Sequence, residues 1–459
     1  MAPLSAAPEV NAPAAYRDAD NPGSWKTAAP ADTEVRSEWW KLFGDATLDE
    51  LEDHALAANQ DLRAAAARVE QAAAAAGIAR SAYWPQLAGN PTAVRERLST
   101  TTENVFPHPL TTTYRAPLAV TWELDLFGRV RRLSESARAD AEASAATFEA
   151  VRLSLAAEVA ANYFSLQALD REVALLRDTV ALRRRALNLI AARWKSGAGT
   201  ELDTARAETE LAATEAEVLA LTNRRAAVQN ALAVLVGEPA EAFKLGSSES
   251  LGAPIAVPAG LPSELLERRP DIAAAERSLA AANARIGVAK AAFFPAISLT
   301  GLGGFASGDI DQLFRADSRM WSIGPSVYLP IFQGGRNRAN LERSRAAYDE
   351  SVAVFRQRVL VAFREVQDAL TATHLLAEQA ESQDRALASA RRAAALAQTR
   401  YDAGFVTYLE VIDTQRTALA TERNSTQLAA QRLNTSVALI KALGGGWRRP
   451  LGGAVVVTK

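Results

Sequence analysis

The sequence predicts a mainly helical chain with a small β part, built as two copies of one plan. Three observations carry this. The tip pattern Arg400-Tyr-Asp-Ala-Gly404-Phe405-Val406-Thr407-Tyr-Leu409-Glu410-Val-Ile-Asp413-Thr-Gln-Arg416 repeats the frame of Arg193-Trp-Lys-Ser-Gly197-Ala198-Gly199-Thr200-Glu-Leu202-Asp203-Thr-Ala-Arg206, at a constant offset of 207 residues. Asp61–Pro85 aligns without gaps to Asp271–Pro295, and each copy closes in two aromatics and a helix-stopping proline. After each proline the apolar period changes from helical to two, then returns to helical over a very long stretch.

Composition narrows the function. The chain has 459 residues, a net charge of −2 and no cysteine. That charge gives no basic footprint for nucleic acid. The missing thiols exclude disulfides, thiol catalysis and cysteine-bound metal. His54, His108 and His374 stand far apart, without metal-ligand spacing. No apolar run approaches the roughly 20 residues of a transmembrane helix. The opening Met1-Ala-Pro-Leu-Ser lacks the basic start and apolar core of a signal peptide. No nucleotide loop, metal cluster or catalytic constellation is legible, so neither an enzyme nor a cofactor is expected.

Residues 1–45 read as an N-terminal arm, pinned by the aromatic anchor Trp39-Trp40-Lys-Leu-Phe43-Gly44. Residues 46–85 read as short helices with a break near Asn59-Gln60-Asp61. A β-hairpin follows at 86–126. Its second strand alternates Leu118, Val120, Trp122, Leu124 and Leu126 with Ala119, Thr121, Glu123 and Asp125, giving one apolar and one polar face. Its first strand, about 86–97, is placed by the duplication. Residues 127–236 hold a long helix, a tip and a return helix. In the long helix Leu155, Val159, Asn162, Leu166, Leu169, Val173, Leu176, Val180, Arg183, Leu187, Ile190 and Trp194 keep a 4-3 spacing, the seam of a coiled coil. Residues 237–262 form a Gly/Pro-rich linker. The second copy runs as a short helix at 263–295, a β-hairpin at 296–333, and a long helix, tip and return helix at 334–443. A tail closes the chain at 444–459. In the second hairpin Ile297, Leu299 and Phe305 share a face, as do Trp321, Ile323, Val327, Leu329 and Ile331. The second seam, from Ala362 to Tyr401, is lined by smaller residues. Each long helix is expected to run about 64 residues, or about 95 Å.

A four-stranded sheet with one apolar face admits two readings: the face packs on helices in a soluble domain, or it meets lipid. A sheet in lipid must close, because open edges leave backbone groups unpaired. Four strands cannot close. Three chains would supply twelve, with the polar face around a water-filled lumen.

Trp39-Trp40-Lys-Leu-Phe43-Gly44-Asp45, Trp122-Glu-Leu-Asp-Leu-Phe127-Gly128-Arg129, Leu266-Glu-Arg-Arg-Pro270-Asp271-Ile272, Phe294-Pro295, the two tips and Leu443-Gly-Gly-Gly446-Trp447 span almost the whole chain. On them the chain resembles the TolC-like outer-membrane factors of tripartite efflux systems, within them the multidrug-efflux lipoprotein branch. The resemblance implies a homotrimer. Its twelve strands form one outer-membrane β-barrel, and its helices form a coiled-coil α-helical barrel in the periplasm, closed by the tips. It also implies a lipid anchor on an N-terminal cysteine that this sequence lacks. The implied partners are a periplasmic adaptor (membrane fusion) protein, a proton-driven inner-membrane pump and outer-membrane lipid.

By the resemblance, Glu410 and Asp413 narrow the pore, with Leu409 and Arg416 beside them. Three residues apart, the two acids share a helix face, and a trimer would make them two carboxylate rings that favour cations. Read from the residues alone, they are a solvated charged face with a weak Asp413–Arg416 pair. In the first copy Asp203 and Arg206 hold the equivalent places, and an Arg206–Asp413 contact across the tips is conceivable. Gly197, Ala198, Gly199, Thr200, Gly404, Phe405, Val406 and Thr407 are candidates for docking the adaptor. The function expected is a passive exit duct for drugs or other small molecules. The alternatives are a duct for protein or metal-ion export, and a soluble coiled-coil scaffold.

Overall fold

The computed structural model describes residues 38–101, 109–248, 250–255 and 269–445. Expectations for the arm before residue 38, the hairpin loop at 102–108, the linker and helix start at 256–268 and the tail beyond 445 lie outside them. The described residues form two compact units. One comprises 68–101, 109–145 and 274–356; the other comprises 38–67, 146–248, 250–255, 269–273 and 357–445.

The first unit holds the sheet. Strands β1 (Gln86–Gly89), β2 (Thr92–Arg97), β3 (Leu110–Leu124), β4 (Ala296–Ser307) and β5 (Arg319–Tyr328) pair antiparallel in the order β1-β3-β4-β5, with β2 also on β3. The strand expected at 86–97 is thus two pieces. Gly89 faces Leu118 and Thr92 faces Arg115, so the break at Asn90 and Pro91 falls opposite Pro117, which has no N–H to offer. Five strands therefore fill four strand positions.

Register keeps the two faces distinct. Val120 lies opposite Leu87, Trp122 opposite Leu299, and Ile297 opposite both Leu124 and Val327. Leu87, Leu118, Trp321, Ile323 and Val327 are each more than half exposed. The other face carries Thr121, Glu123, Ser298, Thr300, Ser322 and Ser326. Two expectations need correction: β3 ends at Leu124 and β5 at Tyr328, so Leu126, Leu329 and Ile331 lie beyond the apolar rows. Pro330 cannot continue the ladder.

The helices come in pairs of equal length. After α1 (Ala46–Ala58), α2 (Gln60–Ser81) and α5 (Pro270–Ala291) have 22 residues each. Asn59 breaks α1 from α2 in extended conformation, and its side chain both caps Leu62 N–H (2.9 Å) and donates to the Leu235 carbonyl (2.9 Å). Helices α3 (Arg129–Lys195) and α6 (Arg336–Asp402) have 67 each, roughly 100 Å of helix and slightly more than expected. The Asp125 carboxylate accepts from the Val130 and Arg131 N–H groups (3.0 and 2.8 Å), which starts α3 early. Helices α4 (Glu201–Leu235) and α7 (Tyr408–Ala442) have 35 each. Among the described residues no helix is long and apolar enough to cross a membrane.

The core of the second unit gathers Trp39, Trp40, Leu48, Val159, Phe164, Leu166, Leu232 and Leu433, all nearly inaccessible. Each such side chain contributes roughly 1.5–3 kcal/mol by burial. Trp39 meets Trp40 and Phe43 edge-on, and Phe43 packs on Phe164 at 4.9 Å. Asp45 caps α1 and accepts from the Tyr163 hydroxyl (2.7 Å) and from Gln167 (3.2 Å). The Arg-Pro-Asp motif has a structural use here. Buried Arg269 donates to Asp271 (2.8 Å), Glu365 (2.7 Å) and the Ala442 carbonyl (3.0 Å), tying α5 to α6 and α7. Burial alone would raise the Asp271 pKa, but Arg269 beside it holds that carboxyl below its ordinary value.

Candidate gate at the hairpin tips

Both tips turn by the same backbone device. Gly197 and Gly404 each take φ 79°, a conformation that suits glycine. Their N–H groups donate back to Trp194 and Tyr401 (2.9 and 3.0 Å), and the next N–H groups, of Ala198 and Phe405, donate to Arg193 and Arg400 (both 2.9 Å). The restarts differ. The Thr200 hydroxyl oxygen accepts from Asp203 N–H (3.1 Å), while that hydroxyl donates to the Asp203 carboxylate (2.7 Å). Thr407 occupies the cap position of α7 without a side-chain cap bond.

Beneath the turns lies a small apolar cluster of Ile190, Ala207, Tyr408, Val411 and Ile412, flanked by Leu187 and Tyr401. The Arg193 guanidinium stands over the Tyr401 ring at 5.3 Å and donates to its hydroxyl (3.2 Å), joining the ends of α3 and α6. Glu410 and Asp413 are exposed on one face of α7, and Leu409 is 42% exposed beside them. Glu410 pairs with Arg400 at 3.5 Å. Among the described residues the Asp413 carboxylate has no partner. Phe405 is 78% exposed at the second turn, whereas Gly199 and Val406 are half-buried.

Two sequence-based pairings are not formed. Arg416 does not fold back on Asp413, and Arg206 does not reach Asp413. Arg416 instead crosses to Glu210 of α4, and this hydrogen-bonded pair raises its pKa. Glu210 is buried and already faces Arg183 at 3.0 Å. Arg183 also donates to the Glu210 carbonyl (2.8 Å) and to the Thr214 hydroxyl. Burial pushes the Arg183 pKa down, with Glu210 opposing. A carboxylate with little water gains more from a second cation than exposed Asp413 does. One acid thus links α3, α4 and α7. Sequence reasoning missed Glu210, Thr214, Arg193 and Arg400 as site residues. One signal was available: Arg183 at a seam position requires a buried acceptor.

Among the described residues no cluster could hold a metal ion. The chain matches the family model described as outer membrane efflux protein over residues 51–238 and 261–445. It is 39% identical over 414 residues to outer membrane protein OprJ of Pseudomonas aeruginosa, covering 89% of this chain and 86% of that protein. It is 37% identical over 409 residues to the toluene efflux pump outer membrane protein TtgI of Pseudomonas putida, covering 89% and 87%. The solved outer-membrane channel OprN superposes with a TM-score of 0.85 at 33% identity, covering 96% of this chain and 99% of that one. With nearly every described strand, long helix and tip inside the matched residues, the chain belongs to the outer membrane efflux protein family, a family of transport channels and not of enzymes.

Proposed function

We propose that the chain is the passive exit duct of a tripartite efflux system for small molecules, gated at its helix tips. Three copies join their sheets into a twelve-stranded barrel in the outer membrane, and their long helices surround a channel in the periplasm. The observation that carries this reading is the sheet: its apolar face is open over Leu118, Trp321, Ile323 and Val327, while the opposite face carries Thr121, Glu123, Ser298, Thr300, Ser322 and Ser326. A closed barrel puts the first against hydrocarbon and the second around water. At the other end Glu410 and Asp413 stand exposed, and three copies bring six carboxylates together. The exposed Phe405 turn and the Gly197–Thr200 turn offer small groups and open backbone to the adaptor. Energy comes from an inner-membrane pump.

Single-channel conductance in a planar bilayer tests this, with wild type beside a Glu410→Ala/Asp413→Ala double variant. Small cation-selective openings that grow or lose selectivity in the variant support a duct gated at this tip. A freely water-soluble, silent wild type refutes the barrel. A conducting wild type with an unchanged variant moves the gate elsewhere.

A further inference from the structure

The segments that leave the sheet resemble each other in both halves, and the gate uses neither. After β3 come Leu126 and Phe127, then Arg129, Arg131 and Arg132. After β5 come Ile331 and Phe332, then Arg336 and Arg338. Leu126, Ile331 and Phe332 are 66%, 91% and 89% exposed, and none lies in a strand. Phe127 stacks on Phe294 at 5.0 Å and 12°. Both segments line one cavity of about 200 Å³, which Gln333 and Arg336 also line.

The charges here are unevenly matched. Arg129 is committed to Glu123 (2.7 Å), Arg132 to Glu135 (2.7 Å) and Arg338 to Glu342 (3.1 Å). Arg131 and Arg336 are exposed and have no acidic partner among the described residues. Asp125 is nearby in sequence, but its two oxygens already accept backbone N–H groups. Helices α1, α2, α4, α5 and α7 each carry an acid in the first turn; α3 and α6 carry none. Arginine at that end opposes the helix dipole; the Asp125 carboxylate already offsets it at α3, and at α6 an outside anion relieves it. The buried Oε1 of Gln333 has no donor.

We propose that these two segments form a collar that binds the headgroup of an anionic glycerophospholipid. Leu126, Ile331 and Phe332 sit at the acyl boundary, Arg131 and Arg336 reach the phosphate, and Gln333 accepts a headgroup hydroxyl. Long arginine stems beside apolar side chains suit such a boundary. The inference rests on reading the sheet as a membrane barrel.

The test is native mass spectrometry of the full chain in a non-ionic detergent. Phosphatidylglycerol, phosphatidylcholine or inorganic phosphate is added, and the same preparation is assayed for bilayer conductance. Each arginine near an anionic headgroup is worth about fivefold in retention, and the two together about thirtyfold. Wild type should therefore prefer phosphatidylglycerol to phosphatidylcholine by about thirtyfold. Arg131→Gln and Arg336→Gln should each lose about fivefold, and Arg392→Gln, far away on α6, nothing. If either variant fails to fold, the wild-type preference decides, because it must collapse at high salt. Equal retention of both lipids by a conducting wild type overturns the collar alone, leaving apolar contact or a second copy as the cover. Full displacement by millimolar inorganic phosphate overturns it in favour of a free-anion site. A chain that inserts in no bilayer overturns the barrel, and the collar with it.

Discussion

Substituting Glu210→Gln keeps the shape of the tip and removes one charge. Arg183, only 9% exposed, then loses its counter-charge and keeps two neutral acceptors, the residue-210 carbonyl and the Thr214 hydroxyl. Breaking a buried ion pair from one side costs about 3–5 kcal/mol, and the remaining bonds put this case near 3 kcal/mol. Arg416 sits on the wet side of the same carboxylate, its side chain 58% exposed. Exposed pairs are worth about 0.2–1 kcal/mol, so Arg416→Gln should cost about 0.5 kcal/mol. Hydrogen exchange of amides in α4 and α7 near the tip reads these local openings. Where exchange follows the opening equilibrium, Glu210→Gln should speed it roughly 150-fold and Arg416→Gln roughly twofold. An Arg183→Leu/Glu210→Leu pair leaves no buried lone charge, only the exposed Arg416, and should recover most of the protection. Wild-type protection in Glu210→Gln, or equal effects of the two single variants, would refute the account of Glu210 as the buried link.

Three further outcomes are expected. Glu52 is fully buried in the core of the second unit, and burial, with Asp53 and Asp49 nearby, pushes its carboxyl up to about 9. The native chain then holds a proton that the unfolded chain releases, so stability falls as pH rises from about 4.5 to about 9; Glu52→Gln should flatten that slope in proteolysis of α1, and an unchanged slope refutes the assignment. Gly404→Ala should destabilise the second tip by about 1–2 kcal/mol, because φ 79° strains any side chain; unchanged exchange around Tyr401 and Tyr408 counts against this. Trp321→Arg should impair membrane insertion by about 2–4 kcal/mol if residue 321 lies near the bilayer midplane, whereas Ser322→Arg on the opposite face should not. Equal effects of the two mean that the faces are misassigned.

Periodicity made much of the architecture legible. The 4-3 spacing from Leu155 to Ile190 marks positions that are buried or half-buried, and Trp194, at the last turn of α3, is exposed. Strand alternation gave the right faces because a period of two leaves only one apolar side. The strand break was illegible: it depends on Pro117 standing opposite Asn90, which is a matter of register. The tip turns were readable from glycine, since few residues accept a positive φ. The charge pairing was not. Glu210 meets Arg183 and Arg416 from 27 residues before it and 206 after it, and local spacing carries no such information. Spacing favoured Asp413 for Arg416; solvent made that the weaker choice.

The two hairpins match in length but differ in cohesion. Helix α3 sends Leu169, Val173, Leu176 and Ile190 into apolar clusters along its second half, whereas from Thr371 to Arg400 α6 adds no residue to any of the four clusters among the described residues. An alanine seam brings backbones close but surrenders little apolar area per residue. The first hairpin is therefore the stiff post of the pair and the second the compliant leaf. In the tip-gated duct proposed above, opening would need only one of them to yield, and the leakiness of its resting state would drift through alanine-to-leucine exchanges in α6 away from the gate residues.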